Sequence, residues 1–188
     1  SGTGQSALAE LLSGTREASA GELIYLGQSM PAGPAQRVAQ GMARIPEDRH
    51  GTGVVSDLPV WENVVAERLR AAAFSRWGWV RQRAARRHAQ QLLKTFDVRG
   101  AGLHTPARTL PGGNMQKLIL GRALLPPSGQ PAARLLIAHQ PSWGLDVGAV
   151  AFVHQQLFAA RDGGAALLVI SDDLDEVMLL GDRIAVLH

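Results

Sequence analysis

The sequence contains no cysteine, few aromatic residues and only two lysines among its 188 residues. Without cysteine the chain can form neither a disulfide nor a thiolate-bound metal site, which suits a reducing compartment. No apolar run approaches the ~20 residues that a membrane-spanning helix needs, and the first residues do not follow the layout of a signal peptide. The fold must therefore be held together by a hydrophobic core.

The composition is that of one α/β-sized domain. Hydrophobic residues make up 46% of the chain and the formal net charge is +3. A chain of this length can bury a sizeable core. Its basic charge, carried mainly by arginine, permits acidic partners such as nucleotides, nucleic acid or the inner face of a membrane. Because the first residue is serine and not methionine, we expect an excised or trimmed fragment.

The N-terminal part and the middle of the chain differ in their predicted secondary structure. The N-terminal part predicts a helix over 5–12 that ends at Gly14, a strand pair within 21–30, a helix near 34–41 and a core strand in 42–49. In the middle, apolar residues recur with helical spacing and no convincing strand interrupts them. The middle is therefore expected to be helical throughout.

The C-terminal part alternates strands with helices. The predicted order is strand, helix, strand, helix, strand at 135–138, 147–161, 165–170, 174–180 and 184–187. Such alternation predicts a mainly parallel sheet covered on both faces. The expected architecture is an α/β core formed by 1–58 and 127–188, with a helical subdomain inserted at 59–126.

Two glycine-containing stretches predict anion-binding helix N-termini. "SGTGQS" places Gly2, Thr3 and Gly4 before Gln5 and Ser6, and it matches the end of the P-loop pattern G-x-x-x-x-G-K-[ST] with glutamine in place of lysine. Taken alone, an ordinary glycine turn explains this stretch as well.

"TLPGGNMQK" opens the second such helix. Gly112 and Gly113 precede Asn114 and Gln116, which could act as neutral hydrogen-bond donors. By itself this stretch is better explained as a simple helix start after a proline.

Taken together, the stretches resemble an ATP-binding cassette (ABC) ATPase. "LPGGNMQK", "RLLIAHQPSWGLDVGA" and "LLVISDDLDEVMLLGDRIAVL" are similar in order to the signature, the acidic strand with its D-loop, and the switch-histidine strand. "ARIPEDRHGTGVVSDLPVWENV" resembles the Q-loop region of the second cassette in tandem importers for sugars and nucleosides. The resemblance covers essentially the whole chain. It implies a P-loop NTPase (RecA-like) core, truncated at both ends, that binds ATP and Mg²⁺.

The resemblance also reveals five departures from the catalytic pattern. Gln5 stands where the family has the phosphate-binding lysine, and Glu47 stands at the Q-loop glutamine. His139 and Gln140 replace the Asp-Glu pair that holds Mg²⁺ and polarises the attacking water. Asp172 replaces the switch histidine. Since neither His139 nor Gln140 can act as a carboxylate, the resemblance implies a degenerate ATP site.

Other motif residues are retained. Gly2, Gly4 and Ser6 can still cradle phosphate, and the Ser6 hydroxyl is a weak candidate metal ligand. Asp146 matches the D-loop aspartate that bridges two cassettes. The residues that match the signature, which would complete a partner's site, are Leu110, Pro111, Gly112, Gly113, Asn114, Met115 and Gln116. Pro111 replaces the signature serine.

Two further clusters allow alternative interpretations. "RWGWVRQRAARRHAQQ" interleaves tryptophan with arginine and could bind nucleic acid, although a solvated helix face explains it more simply. The resemblance implies a third possibility, that this helical part docks on the cytoplasmic coupling helices of the membrane subunits. His139 with Asp172 and Asp173 could form a metal site, although no second histidine has suitable spacing. The acidic stretch 172–176 is better explained as the N-terminus of a helix.

The resemblance implies an importer component at the inner face of the cell membrane. Expected partners are a first ABC cassette on the same chain or in a dimer, membrane permease subunits and, indirectly, a solute-binding protein, with no nucleic acid. A catalytically active ABC ATPase and a basic nucleic-acid-binding module remain the alternatives.

Overall fold

The computed structural model describes residues 4–100 and 102–187. Its centre is a three-stranded parallel sheet in the order β3–β6–β7, formed by β3 (Met42–Ile45), β6 (Leu135–His139) and β7 (Ala166–Ile170). Parallel strands end at the same edge of a sheet, so the residues that follow Ile45, His139 and Ile170 are brought side by side. This edge positions most of the predicted catalytic residues.

The two remaining strand pairs are short antiparallel hairpins. β1 (Ile24–Tyr25) pairs with β2 (Gln28–Ser29), as predicted. β4 (Ser75–Arg76) pairs with β5 (Trp79–Val80) inside the region that was expected to be purely helical. That expectation was wrong, because a strand pair of this length offers too few residues for a periodicity to be visible.

Helices cover the sheet and form the middle of the chain. Within the described residues the α-helices are α1 (Gln5–Ser13), α2 (Pro34–Ala39), α3 (Val60–Val65), α4 (Gln82–Thr95), α5 (Gly112–Leu124), α6 (Val147–Asp162) and α7 (Leu174–Leu180). A π-helical turn spans Arg49–Gly53, and 3₁₀ turns span Ala66–Arg68 and Ala107–Thr109. As predicted, α1 ends at Gly14, whose φ of 79° closes the helix in the left-handed conformation.

The core is centred on α5. This helix packs against β3, α3, α4 and α6, and its residues Leu118, Ile119 and Leu120 are fully inaccessible to solvent. One hydrophobic cluster continues from α5 to the sheet through Leu136. This cluster contains residues of the predicted α/β core and of the predicted helical subdomain. The boundary of the helical subdomain at 59–126 therefore stays a prediction.

The strand predicted at 184–187 is absent. Residues 184–187 form no ladder with a described strand, and Ile184 and Val186 are 49% and 82% exposed. An apolar segment becomes a strand only when a neighbouring edge accepts its hydrogen bonds. β7 pairs with β6 alone among the described strands.

Nowhere in 4–100 and 102–187 is a helix both long and apolar enough to cross a membrane.

Candidate functional site

The carboxyl edge of the parallel sheet brings together four residues predicted at the site. Glu47 follows β3, His139 ends β6, Gln140 comes next, and Asp172 follows β7. His139 and Gln140 are only 8% and 7% exposed. We call these four residues the strand-end cluster.

His139 faces Glu47. Nε2 of His139 lies 3.5 Å from Oε2 of Glu47, while the Glu47 side chain remains half exposed. Both line a cavity of about 580 Å³ that also contains Ser6 of α1. The position expected to hold a metal-binding carboxylate therefore presents an imidazole to a neighbouring carboxylate.

Gln140 is fixed by hydrogen bonds on both sides. Its backbone φ is +49°, in the left-handed region, and its backbone N–H donates to the carbonyl of Ile170 at 2.7 Å. Its Oε1 accepts from the backbone N–H of Asp172 at 3.3 Å. The side chain thus joins the ends of β6 and β7, and a neutral amide held this way cannot take a proton from water.

The start of α1 borders the same cavity. Gly4 caps the helix with φ of +88°, a conformation that glycine adopts without strain, and Ser6 is exposed. The backbone N–H groups of the first turn of α1 form the helix N-terminus that the sequence predicts to attract phosphate. Gly2 and Thr3 lie outside the described residues.

The predicted signature residues form the start of α5 on another face. Pro111 caps the helix, and Gly112 and Gly113 are its first two residues. The side-chain oxygen of Asn114 already has a hydrogen-bond partner within the chain, because Oδ1 accepts from the backbone N–H of Arg99 at 2.8 Å. Leu110 and Met115 are buried and serve the core.

Gln116 does not point toward solvent as a free hydrogen-bond donor, contrary to the prediction. It is 2% exposed, and its Nε2 donates to the carbonyl of Pro141 at 2.6 Å. This hydrogen bond ties α5 to the turn that follows β6. Within the predicted signature only Pro111 is exposed, while Gly112, Gly113 and Asn114 are partly accessible.

Asp146 lies beside the signature glycines. It caps α6, and its Oδ1 accepts from the backbone N–H of Ala149 at 3.0 Å. A Cβ placed on Gly113 would lie 3.7 Å from Oδ2 of Asp146. Asp146 and the start of α5 share a shallow cavity of about 250 Å³, which we call the signature face.

Comparison with known proteins identifies the family of the chain. A family model described as ABC transporter matches residues 1–129, more than half of the chain. The chain belongs to the ABC transporter family.

Several curated relatives match this ABC chain over its full length. It is 37% identical over 188 residues to the nucleoside import ATP-binding protein NupA of Lactococcus lactis subsp. cremoris, covering 100% of the chain and 36% of NupA. It is 38% identical over 187 residues to the guanosine import ATP-binding protein NupO of Bacillus subtilis, covering 99% of the chain and 36% of NupO. The ABC chain thus spans about a third of the length of these relatives.

The fold agrees with that of solved ABC cassettes. The dimeric cassette MJ0796, in a post-hydrolysis state bound to ADP and Pi, superposes with a TM-score of 0.72 over 95% of this chain and 74% of that one, at 16% identity. A nucleotide-free cassette gives a TM-score of 0.69 over 94% of this chain and 69% of the other, at 18% identity. The predicted P-loop α/β class with a parallel sheet is confirmed.

The residues of this ABC chain fit Mg²⁺ poorly. Mg²⁺ prefers carboxylate and phosphate oxygens, but the strand end offers His139 and Gln140, and Ser6 supplies one neutral hydroxyl. Within the described part of the chain, no three His, Asp or Glu residues cluster as a metal site would require. The alternative metal site is wrong, because Asp173 instead caps α7 by accepting from the backbone N–H groups of Asp175 and Glu176.

Sequence reasoning missed Arg49. This buried arginine donates to the carbonyl of Trp143, and its Nη1 would lie 3.4 Å from a Cβ on Gly112. Burial lowers the pKa of its guanidinium. It joins the turn after β3, the turn after β6 and the start of α5. A single arginine in a polar loop gives no sequence signal for such a role.

Lys117 was also missed. Its Nζ lies 3.2 Å from Oδ2 of Asp97 and 4.9 Å from the centre of the Phe152 ring, at the margin of the signature face. Hydrogen bonds from Arg99 and Lys117 hold the pKa of the Asp97 carboxyl below its ordinary range. Lys117 therefore borders the signature face with its ammonium group bound to Asp97.

Proposed function

We propose that this chain is the second nucleotide-binding cassette of a tandem pair in an importer of nucleosides or sugars, and that its own ATP site is degenerate. The names of NupA and NupO, both import ATP-binding proteins, support the importer assignment. The nucleoside branch is favoured by the stretches "PEDRHGTG", "FDVR" and "AHQP". Because the chain covers 36% of NupA, that relative has room for a further unit of this size.

The observation that carries the degenerate site is the use of the two residues at the end of β6. His139 faces the Glu47 carboxylate, and the Gln140 side chain accepts from the backbone of Asp172. Phosphoryl transfer requires cations and metal ligands around the phosphate oxygens and a group that orients water. At this edge an imidazole and a bonded amide replace those groups.

The charges around the expected phosphate position also support a degenerate ATP site. Gln5 brings no positive charge to the start of α1, and Asp172 places a carboxylate where the family has the switch histidine. A charge-assisted hydrogen bond contributes roughly 1.5–3 kcal/mol, so losing the lysine alone lowers affinity by about tenfold or more. ATP and Mg²⁺ are therefore expected to bind weakly at this site.

The signature face would have the opposite role and complete the ATP site of the first cassette. Gly112 and Gly113 bring no side chains of their own to the N-terminus of α5, and Arg49 and Asp146 lie next to them. In this arrangement the first cassette performs turnover while this chain supplies the second wall of its site. Permease subunits and a solute-binding protein complete the assembly, which places the chain at the inner membrane face.

The test is ATP hydrolysis by the complete tandem polypeptide after the first cassette has been disabled at its own water-orienting carboxylate. We expect no turnover from the remaining site. Gln5→Lys should restore about tenfold of the binding without turnover. Turnover should require His139→Asp, Gln140→Glu and Asp172→His in addition, together with an intact partner signature.

A catalytically active site is the second candidate, and the closeness of His139 to Glu47 favours it. A histidine beside a carboxylate can serve as a general base. If the tandem polypeptide with a disabled first cassette still hydrolyses ATP, and His139→Ala removes that activity, this candidate replaces the degenerate site.

A further inference from the structure

The hairpin β4–β5 carries the two most exposed tryptophans of the described residues. Trp77 is 88% exposed and Trp79 is 81% exposed. Trp77 and Gly78 form the two-residue turn, with φ of +52° and +83°, the geometry of a type I′ turn. The neighbouring Val80 is 40% exposed. The hairpin therefore holds a large apolar surface at a fixed, convex tip.

The chain around this hairpin has charge of one sign only. Residues 68–96 contain no aspartate or glutamate. The cations of this segment are Arg68, Arg70, Arg76, Arg81, Arg83, Arg86, Arg87 and Lys94. Arg76, Arg83 and Arg87 are exposed, and across 4–100 and 102–187 no carboxylate forms an ion pair with them. Their charge is available to an anionic partner.

We propose that the β4–β5 hairpin and the exposed arginines at the start of α4 dock on the surface of an anionic lipid bilayer. Tryptophan rings prefer the boundary between hydrocarbon and headgroups because they combine an apolar body with an N–H donor. Arginines beside them are attracted by the negative surface potential of anionic lipids. We call the hairpin with Arg76, Arg83 and Arg87 the tryptophan–arginine tip.

The geometry of the tip favours a bilayer over nucleic acid. The guanidinium of Arg76 lies 4.8 Å from the centre of the Trp77 ring, so one ring face is already covered. Single-stranded nucleic acids bind by stacking bases on free ring faces along a groove. A two-residue turn is convex and suits insertion among headgroups. This docking does not depend on the state of the ATP site.

The test is co-sedimentation of the full chain with phosphatidylcholine vesicles and with vesicles that also contain phosphatidylglycerol. We expect binding to the anionic vesicles only, weakened by added salt because salt screens exposed charges. The pair Trp77→Ser with Trp79→Thr should lower vesicle affinity at least about tenfold, because two indoles are no longer buried. Trp143→Ser, which removes another exposed tryptophan, should leave the binding unchanged.

A charge-matched pair of variants separates the tip from net charge. Arg76→Gln with Arg83→Gln and Arg87→Gln should lower affinity at least about tenfold. Arg16→Gln with Arg108→Gln and Arg161→Gln removes the same number of charges from residues that pair with carboxylates elsewhere. That control should bind within about twofold of the parent, because only cations near the surface are attracted.

The blue shift of tryptophan fluorescence on vesicle addition gives a second readout and should vanish in the Trp77→Ser/Trp79→Thr variant. Circular dichroism melts should match the parent, since both rings are exposed. Equal binding to neutral and anionic vesicles, or equal loss in both arginine variants, would overturn the proposal. So would binding to a single-stranded oligonucleotide without binding to vesicles.

Discussion

The strand-end cluster and the signature face belong to the same ABC chain but use their polar groups differently. In the strand-end cluster, Gln140 is bonded to the neighbouring strand end and His139 is paired with Glu47. At the signature face, Gly112 and Gly113 place no side chain over the N-terminus of α5. In the first region polar side chains contact one another, whereas in the second the two glycines bring no side chain of their own.

Gln140 therefore contributes to the fold, whatever chemistry the strand-end cluster performs. The amide of Gln140 accepts a backbone hydrogen bond that joins β6 to β7, so its position still serves the sheet. Buried polar groups that find partners in this way cost little.

Gly113→Asp should lower ATP turnover of the proposed tandem transporter by roughly 10²–10³-fold, the scale seen when a donor to a developing negative charge is lost. The new carboxylate would compete for the N–H groups of α5 and would stand beside Asp146. Its Cβ meets Ala149 at 3.4 Å, so the fold should survive. Ser128→Asp, which adds the same charge in an exposed loop, is the control and should leave turnover unchanged. Normal turnover in Gly113→Asp would refute the role of this face.

Gln116→Ala should lower the free energy of unfolding by about 1–3 kcal/mol, because the buried carbonyl of Pro141 loses its donor. Gln90→Ala removes an exposed glutamine from α4 and serves as the matched control. Chemical denaturation of both variants measures the difference. Equal stabilities would mean that α5 is not held to the turn after β6 by this hydrogen bond.

Gln140→Leu should lower the free energy of unfolding by about 0.5–1.5 kcal/mol, since the backbone N–H of Asp172 loses its acceptor. Gln140→Glu keeps an acceptor and should unfold close to the parent. It should also produce no ATP turnover by itself, because His139 and Gln5 remain. Turnover in this single variant would show that one substitution in the strand-end cluster is enough to produce ATP hydrolysis.

Asp97→Asn should have the smallest effect, visible only as a change in pH dependence. Because the folded-state pKa of Asp97 is held below its ordinary 3.8, the carboxylate stabilises the fold above that value. This stabilisation is lost as the pH falls through the lower folded-state pKa. The backbone φ of Asp97 is +50°, which asparagine also tolerates. Thermal unfolding should show a parent advantage near neutral pH that disappears in acid; a constant difference would contradict this origin.

Much of the fold could be predicted because it follows local patterns. Periodicity identified α1, α6 and α7, and apolar runs identified β6 and β7 to within one or two residues. The predictions failed where a neighbour decides the outcome. The segment 184–187 is apolar, yet no described strand accepts its hydrogen bonds.

The candidate site was predictable in part for the same reason. Motif order located the strand-end cluster and the signature face, since the ends of neighbouring parallel strands must meet. It could not show that Gln116 turns inward to Pro141 or that Arg49 reaches Trp143. Those contacts join residues 25 and 94 positions apart.

The order of residues specifies which chemical groups are available: glutamine and not lysine after Gly4, no carboxylate at the end of β6, and two glycines at the start of α5. The contacts of those groups depend on how distant segments pack together. The tertiary structure pairs His139 with Glu47, bonds Gln140 to Asp172, and leaves the tryptophans of β4–β5 in solvent. The physical reason is that side-chain identity fixes charge and hydrogen-bonding capacity, whereas burial and partners depend on packing between distant segments.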